Sequence, residues 1–366
     1  MPTDKPRVLH VIARYNIGGT ARYLNNLLPK IAPEVDTLLA VGHVQGYEIE
    51  DSSLENVNFE RIEHLGRKIS PALDLRAYLE LRKLVKNYRP QIIHSHTFKA
   101  GLLCRLMFFR IPKVHTFHGH LMGDPEFSRR ALQVIINIER RLAKVTKRII
   151  TVGEQVTTDL LSVGVGKSSQ YISIASEGEN LTFLTREESR NLLRIDLNAP
   201  TVLWMARMAP VKNPDLALEV ARLLPDVNFL MAGGGGLYEV TKDKAPNNVS
   251  LLGWVDAADV IPAADLFLST SLNEGVPYSL VEVQSCGIPV LAVDVGSVSE
   301  VVTHETTGFL TPPEPEALSS AIVELLENET KRLAFSNAAL EKAKAKNANS
   351  DMGGSYVRIY RQILAE

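Results

Sequence analysis

Four charged side chains in this chain have the types and spacings that suit an anionic, hydroxyl-rich ligand: Arg207 with Lys212, and Glu274 with Glu282. Arg207 and Lys212 follow the apolar run of residues 200–206, and Pro210 and Pro214 restrict the loop that carries them. A guanidinium offers a planar fork and an ammonium a point charge, so together they can clamp a diphosphate. Taken alone, the pair equally describes two surface cations around a turn. Glu274 lies between an apolar strand, residues 264–268, and a helix expected over residues 278–286 that stops at Gly287-Ile288-Pro289. Pro277 suits the first helical turn, where its missing N–H costs nothing. The amides of Tyr278, Ser279 and Leu280 would then point out of the helix end, where the dipole favours a phosphate. Glu274 would reach beyond that phosphate and Glu282, inside the helix, behind it.

Glycines and histidines add weaker signals. Gly233 to Gly236 allow close backbone approach to a ligand, but they do not form a GxGxxG in the first strand–helix position, and a plain turn explains them as well. His115, His118 and His120 cluster at one expected strand end, and His94 and His96 at another. No cysteine or carboxylate completes a zinc shell at familiar spacing. The expectation is therefore no metal, with His118 before Gly119 donating a hydrogen bond to a ligand.

The elements that must position these residues follow from length and patterning. At 366 residues, two domains are the better prior, and 45% hydrophobic residues with a net charge of −2 describe a soluble globular protein. No signal peptide and no run of membrane-spanning length is expected, and Cys104 and Cys286 stand far apart, so a reduced, cytoplasmic setting is the default. Residues 1–150 hold about 24 Lys and Arg against about 14 Asp and Glu, which leaves the remainder acidic. A basic half suits anionic partners, although a solvated helical surface explains it equally.

Residues 7–13 form a β-branched run ending in a turn with Gly18 and Gly19, followed by a helix from about residue 21 to 31. That is the opening of a doubly wound α/β domain. Strands are expected at 37–41, 90–96, 113–117 and 148–152, with helices at 74–87, 100–109 and 133–147. The pattern restarts with strands at 200–206, 228–232, 249–252, 266–269 and 289–293 and helices at 213–224, 317–327 and 329–346. The expected domains are 1–178 and 179–348, facing one another across a cleft, with a last helix in 349–366 packing back on the first.

Taken in order, these motifs resemble the retaining glycosyltransferases of the GT-B fold, family 4, over essentially the whole length. The resemblance rests on Gly18-Gly19-Thr20, His94-Ser-His96-Thr, Lys99-Ala-Gly101, His115-Thr-Phe-His-Gly-His120, Arg207 with Lys212, the Gly233–Gly236 loop and Glu274-x7-Glu282. With Ser70-Pro-Ala-Leu-Asp74, the chain is most similar to bacterial enzymes of capsule, exopolysaccharide or lipopolysaccharide synthesis. What the resemblance implies is a metal-independent transfer of a sugar from a nucleotide-diphosphate sugar, a UDP-sugar favoured, to a hydroxyl. The acceptor would be a lipid-linked saccharide or polysaccharide precursor.

In that reading Arg207 and Lys212 hold the diphosphate, helped by Gly18, Gly19 and the backbone of Gly275, Val276, Pro277 and Tyr278. Glu282 takes the ribose, Gly234, Gly235 and Trp254 line the nucleotide, Glu274 and His118 meet the transferred sugar, and His120 meets the acceptor. The departing diphosphate would take the acceptor proton, so the anomeric configuration is retained. The basic helix of residues 129–147 would dock on anionic lipid at the inner membrane face, and nucleic acid is not an expected partner. The chain departs from the family pattern at Ala206, usually Gly, and at Glu177-Gly178-Glu179-Asn180 in the interdomain segment. Alternatives are a nucleotide-sugar epimerase of the same fold and a non-catalytic nucleotide-sugar-binding partner. All four charges at Arg207, Lys212, Glu274 and Glu282 argue against a silent site.

Overall fold

The computed structural model describes residues 5–120, 128–175, 177 and 181–366. The boundary expected between residues 178 and 179, and Gly178, Glu179 and Asn180 of the altered segment, lie outside the described residues. Among them the chain divides into two compact units, one of residues 5–120, 128–175 and 351–366, the other of 177 and 181–350.

The first unit is built on seven parallel strands: β1 Arg7–Ile12, β2 Asp36–His43, β3 Phe59–Gly66, β4 Ile92–His96, β5 Lys113–Phe117, β6 Arg148–Thr151 and β7 Tyr171–Ser173. Their order is β3-β2-β1-β4-β5-β6-β7. Residues 8–12 are buried throughout, as a central strand covered on both faces requires. Helix Gly19–Ile31 turns Ala21, Tyr23, Leu24, Leu27, Leu28 and Ile31 inward at helical spacing. Helix Met352–Ala365 lies along that helix, and the Tyr23 and Tyr356 hydroxyls bond at 2.6 Å.

Six parallel strands make the second unit: β8 Thr201–Met205, β9 Asn228–Ala232, β10 Val249–Gly253, β11 Leu266–Ser269, β12 Val290–Val293 and β13 Gly308–Thr311. Their order is β10-β9-β8-β11-β12-β13. Its core gathers Trp204, Met208, Leu218, Phe229, Leu268 and Leu318. In each sheet the order reverses beside the first strand of the unit, between β1 and β4 and between β8 and β11. Ligands of doubly wound sheets gather at the carboxyl ends of the strands flanking such a reversal.

Several element bounds depart from the sequence expectation. The helix expected at 133–147 runs Arg129–Ala143, started by Ser128, whose hydroxyl accepts from the Ala131 amide at 3.2 Å. It stops before Lys147, which begins the approach to β6. The helix expected at 100–109 is Phe98–Arg105, and Phe108 beyond it is almost fully exposed. β3, β7 and β13 had no place in the expected series, being short or mixed in polarity.

Two family motifs prove to be structural. Lys99 Nζ meets Asp74 Oδ1 at 2.5 Å, and Asp74 Oδ2 accepts from the Ser70 amide at 3.0 Å, so the two motifs hold one another. At Gly101 a Cβ would stand 2.5 Å from the His115 ring, which explains the glycine.

In the second unit Arg190 is fully buried and donates to the carbonyls of Ala263, Asp196, Leu197 and Ala199 and to Asp265 Oδ2. Removing that side chain empties a fully buried space and takes its bonds from four carbonyls, while Asp265 keeps Arg186 and the Thr201 amide. Arg190→Ala is expected to cost about 3–5 kcal/mol, read as a lowered urea midpoint for the second unit.

Candidate functional site

The loop after β8 carries Arg207 and runs into a short 3-10 turn, Pro210–Lys212. Its path is set by the glycine run after β9. Met208 N–H donates to the Gly234 carbonyl at 2.8 Å, Leu237 N–H to Met208 O at 3.1 Å, and Ala206 N–H to Ala232 O at 3.1 Å. Gly233 and Gly235 have φ of 124° and 142°, and added Cβ atoms would stand 2.0 Å from the Ala206 carbonyl and 2.6 Å from that of Met208. At Gly234 a Cβ would meet the Trp254 indole at 2.4 Å. These glycines are required by the close approach of the protein's own Arg207 loop and of Trp254.

A second set of bonds ties this loop to the one after β11. Thr270 Oγ1 accepts from the buried Trp204 Nε1 at 2.9 Å and lies 3.0 and 2.9 Å from the Lys212 and Asn213 carbonyls, to which it donates. Leu272 N–H donates to Val211 O at 2.8 Å. Lys212 Nζ is ion-paired with Glu274 Oε1, which also accepts from Ser271 Oγ at 2.6 Å. The sequence assigned Lys212 and Glu274 to different parts of a ligand; the structure joins them directly. Ser271, Thr270 and Trp204 were missed, because neither spacing nor charge marks a residue that acts by holding two loops together.

Helix Tyr278–Ser285 follows. Pro277 is the residue before the helix, with φ −74° and ψ 119°, and not part of its first turn. Its carbonyl accepts from the Leu280 N–H at 3.2 Å. That amide is therefore spent inside the helix start, and the anion-facing set expected there loses one member. Glu274 reaches its place partly through its own carbonyl, which accepts from Ser297 N–H at 3.1 Å. Glu274 is mostly buried and Glu282 fully so; Val276 and Tyr278 are buried beside Gly275.

In the first unit Gly18 precedes the first helical residue, Gly19, at the carboxyl end of β1, and its carbonyl accepts from Arg22 N–H at 3.1 Å. Thr97, at the end of β4, carries φ 67°, a strained value for a β-branched residue.

The expected grouping of His115, His118 and His120 does not form. His115 turns to the other face of β5, accepting or donating with Ser95 Oγ at 2.9 Å. His120 Nδ1 meets Asp159 Oδ2 at 2.5 Å. His118 Nε2 meets His96 Nδ1 at 3.0 Å, with the Tyr23 ring edge-on at 4.8 Å. Alternation sends residues 115 and 118 to different surroundings once the strand ends between them.

His10, from β1, joins His94 and His96 instead, with ring nitrogens within 4.8 Å of one another and all three side chains fully buried. His10 and His94 are register partners on adjacent strands. His10 carried no motif in the sequence, and only the strand pairing reveals it. Burial pushes His10 and His118 down to about 3 and holds His94, His96 and His115 well below the usual histidine value.

Residues 17–172 match the family model described as Glycosyltransferase Family 4, and residues 185–342 match Glycosyl transferases group 1. The chain belongs to the family 4 glycosyltransferases. It is 27% identical over 268 residues to the UDP-Gal:alpha-D-GlcNAc-diphosphoundecaprenol alpha-1,3-galactosyltransferase of Escherichia coli, covering 67% of this chain and 68% of that one. Its fold is shared with sucrose-phosphate synthase from Thermosynechococcus elongatus, at TM-score 0.83 and 20% identity over 99% and 100% of the two chains. It is shared also with Anabaena Alr3699/HepE, solved in complex with UDP-glucose, at TM-score 0.79 and 22% identity over 98% of each chain. This glycosyltransferase thus has the GT-B fold, with two parallel-sheet, Rossmann-like units.

Two outcomes are expected from the site's construction. Gly233→Ala forces the Arg207 loop away from the β9 loop, and glycosyl transfer should fall by roughly tenfold or more while circular dichroism stays native. The buried histidines bind protons more readily when unfolded, so stability is complete above about pH 6.5 and falls as pH drops from there towards about 3. For fully buried His10 the slope is about 1.4 kcal/mol per pH unit, and urea midpoints at pH 7.5, 6 and 5 should decline in that order.

Proposed function

We propose that this glycosyltransferase moves a sugar from a nucleotide-diphosphate sugar, a UDP-sugar, to a hydroxyl, with retention of anomeric configuration. The observation that supports this reading most directly is the stitching of the Arg207–Lys212 loop to the Glu274 loop at the reversal between β8 and β11. A diphosphate is the ligand that two neighbouring cations and a helix start would hold. Breaking the sugar–phosphate bond puts charge on the leaving diphosphate, and cations already in place lower that barrier without reorganisation.

The ion pair gives the site a second property. Lys212 is satisfied by Glu274 before any ligand arrives. A diphosphate that takes over Lys212 releases Glu274 Oε1 to accept from a sugar hydroxyl, so binding of one end of the donor prepares contact with the other. Glu282 takes the ribose hydroxyls, Trp254 with Gly234 and Gly235 lines the base, and Gly18 and Gly19 add backbone donors. His118 meets a substrate hydroxyl, and His120, oriented by Asp159, meets the acceptor. Arg207 and Lys212 supply the countercharge, so no metal is required, and activity should survive a chelator.

The donor named for the Escherichia coli relative and the ligand of the Anabaena protein both carry UDP, which supports UDP over GDP and ADP. The relative's diphosphoundecaprenol acceptor supports a lipid-linked acceptor. Helix Arg129–Ala143 exposes Arg129, Arg130, Arg140 and Arg141, a basic face suited to anionic lipid. No helix among the described residues is long and apolar enough to cross a membrane.

A thermal-shift panel of UDP, GDP, ADP and their sugars tests the donor. At a hundred times its dissociation constant the right nucleotide adds about 2.7 kcal/mol, and a flat response to all of them overturns the assignment. Glu274→Gln should abolish transfer with UDP binding kept, whereas Arg207→Ala should lose both; turnover retained in both variants removes the proposed roles. Sedimentation with anionic liposomes at low salt should carry the protein down, and its absence removes the membrane proposal.

A further inference from the structure

His118 stands at the end of a continuous hydrogen-bonded chain that runs through the first unit. His118 Nε2 meets His96 Nδ1 at 3.0 Å, and His96 Nε2 meets His10 Nδ1 at 3.1 Å. His10 Nε2 lies 3.5 Å from the Tyr360 hydroxyl, which lies 2.7 Å from His94 Nδ1. His94 Nε2 is 2.7 Å from Thr116 Oγ1, itself 3.4 Å from the Tyr356 hydroxyl. The His10 and His96 ring planes are nearly parallel, at 12°, with centroids 5.4 Å apart, a separation compatible with the 3.1 Å N···N bond between them. Every ring nitrogen of His10, His94 and His96 thus has a hydrogen-bond partner, either another imidazole or a hydroxyl.

Each neutral imidazole donates from one nitrogen and accepts at the other, so every link holds one proton and one choice of direction orders the whole chain. The choice is made at His94, which has a hydroxyl on each side and can accept from only one. A phenol is a far stronger acid than an aliphatic hydroxyl, hence the better donor, and Tyr360 therefore donates to His94 Nδ1. His94 Nε2–H then donates to Thr116. The Tyr360 oxygen, its proton committed, accepts from His10 Nε2–H. His10 Nδ1 must accept from His96 Nε2–H, and His96 Nδ1 from His118 Nε2–H.

We propose that Tyr360 is a positioning residue that, through His10 and His96, fixes the His118 proton on Nε2 and leaves Nδ1 as a hydrogen-bond acceptor. Nδ1 makes no hydrogen bond among the described residues. It is turned to accept from a substrate hydroxyl, the reverse of the donor role suggested by sequence; this use of the tautomer rests on the transferase reading. An acceptor there selects for a hydroxyl at the facing position of the sugar and against an ether or a deoxy carbon. The chemistry of Tyr360 reaches the substrate by polarity alone, with no net proton moved.

The test is a long-range 1H–15N correlation spectrum of protein labelled at histidine, with the His118 signals identified by their loss in His118→Gln. The expected result is a protonated Nε2 and an unprotonated Nδ1 for His118 in the wild type. A proton on Nδ1 overturns the proposal without recourse to any variant. Tyr360→Phe should convert His118 to a mixture of tautomers and lower kcat roughly tenfold, with KM for the donor within about twofold. Thr116→Ser, which keeps the hydroxyl, should leave both unchanged. An unaltered His118 tautomer in a folded Tyr360→Phe protein also overturns it. The expected spectrum together with no melting response to any nucleotide sinks the transferase reading and leaves the tautomer assignment standing.

Discussion

One hydroxyl, that of Thr270, holds the second unit's site in register. It sits at the carboxyl end of β11, accepts a hydrogen bond from the Trp204 indole N–H on β8, and donates to the carbonyls at the end of the turn that carries Lys212. Where a doubly wound sheet reverses, the connections leaving the two paired strands part to opposite faces, and nothing in the ladder beyond the strand ends keeps the two loops together. Thr270, the Leu272–Val211 backbone bond and the Lys212–Glu274 ion pair close that opening. Two side chains that would otherwise be surface charges are thereby held against each other at the place where the fold accepts a ligand.

The same site shows how close packing substitutes for side-chain restraint. The Arg207 loop has no long hydrophobic anchor of its own beyond Met208, and it is held by backbone bonds to a run of glycines that admits it at van der Waals distance. A Cβ at Gly233 or Gly235 would occupy the space of its carbonyls. The glycines, taken alone as a nucleotide-approach signal, serve the approach of one part of the protein to another.

Much of the architecture was legible because burial dictates composition. β8 and β9 read as apolar runs, β1 and β4 are as deeply buried although His10, His94, Ser95 and His96 interrupt their apolar residues, and the helices between show their buried stripe. β3, with Glu60, Arg61, Glu63 and His64 in it, lies at the edge of its sheet and lacks that signature. The helix end at Ala143 was placed too late because basic residues continue through Lys147, and charge does not record where a backbone turns. Pro277 was placed one residue too deep, since its fixed φ suits the position before a helix as well as the first turn.

The residue types and order in the chain determined the family, the two-unit α/β plan and the charged quartet of Arg207, Lys212, Glu274 and Glu282, because these depend on local periodicity and on chemistry that few side chains can supply. Tertiary structure decided which of those groups touch. The pairing of Lys212 with Glu274 spans 62 residues, and the chain from Tyr360 to His118 draws on β1, β4, the end of β5 and the last helix. Such contacts depend on strand order and register, and these are set by how helices cover the sheets as a whole, which no local stretch of sequence encodes.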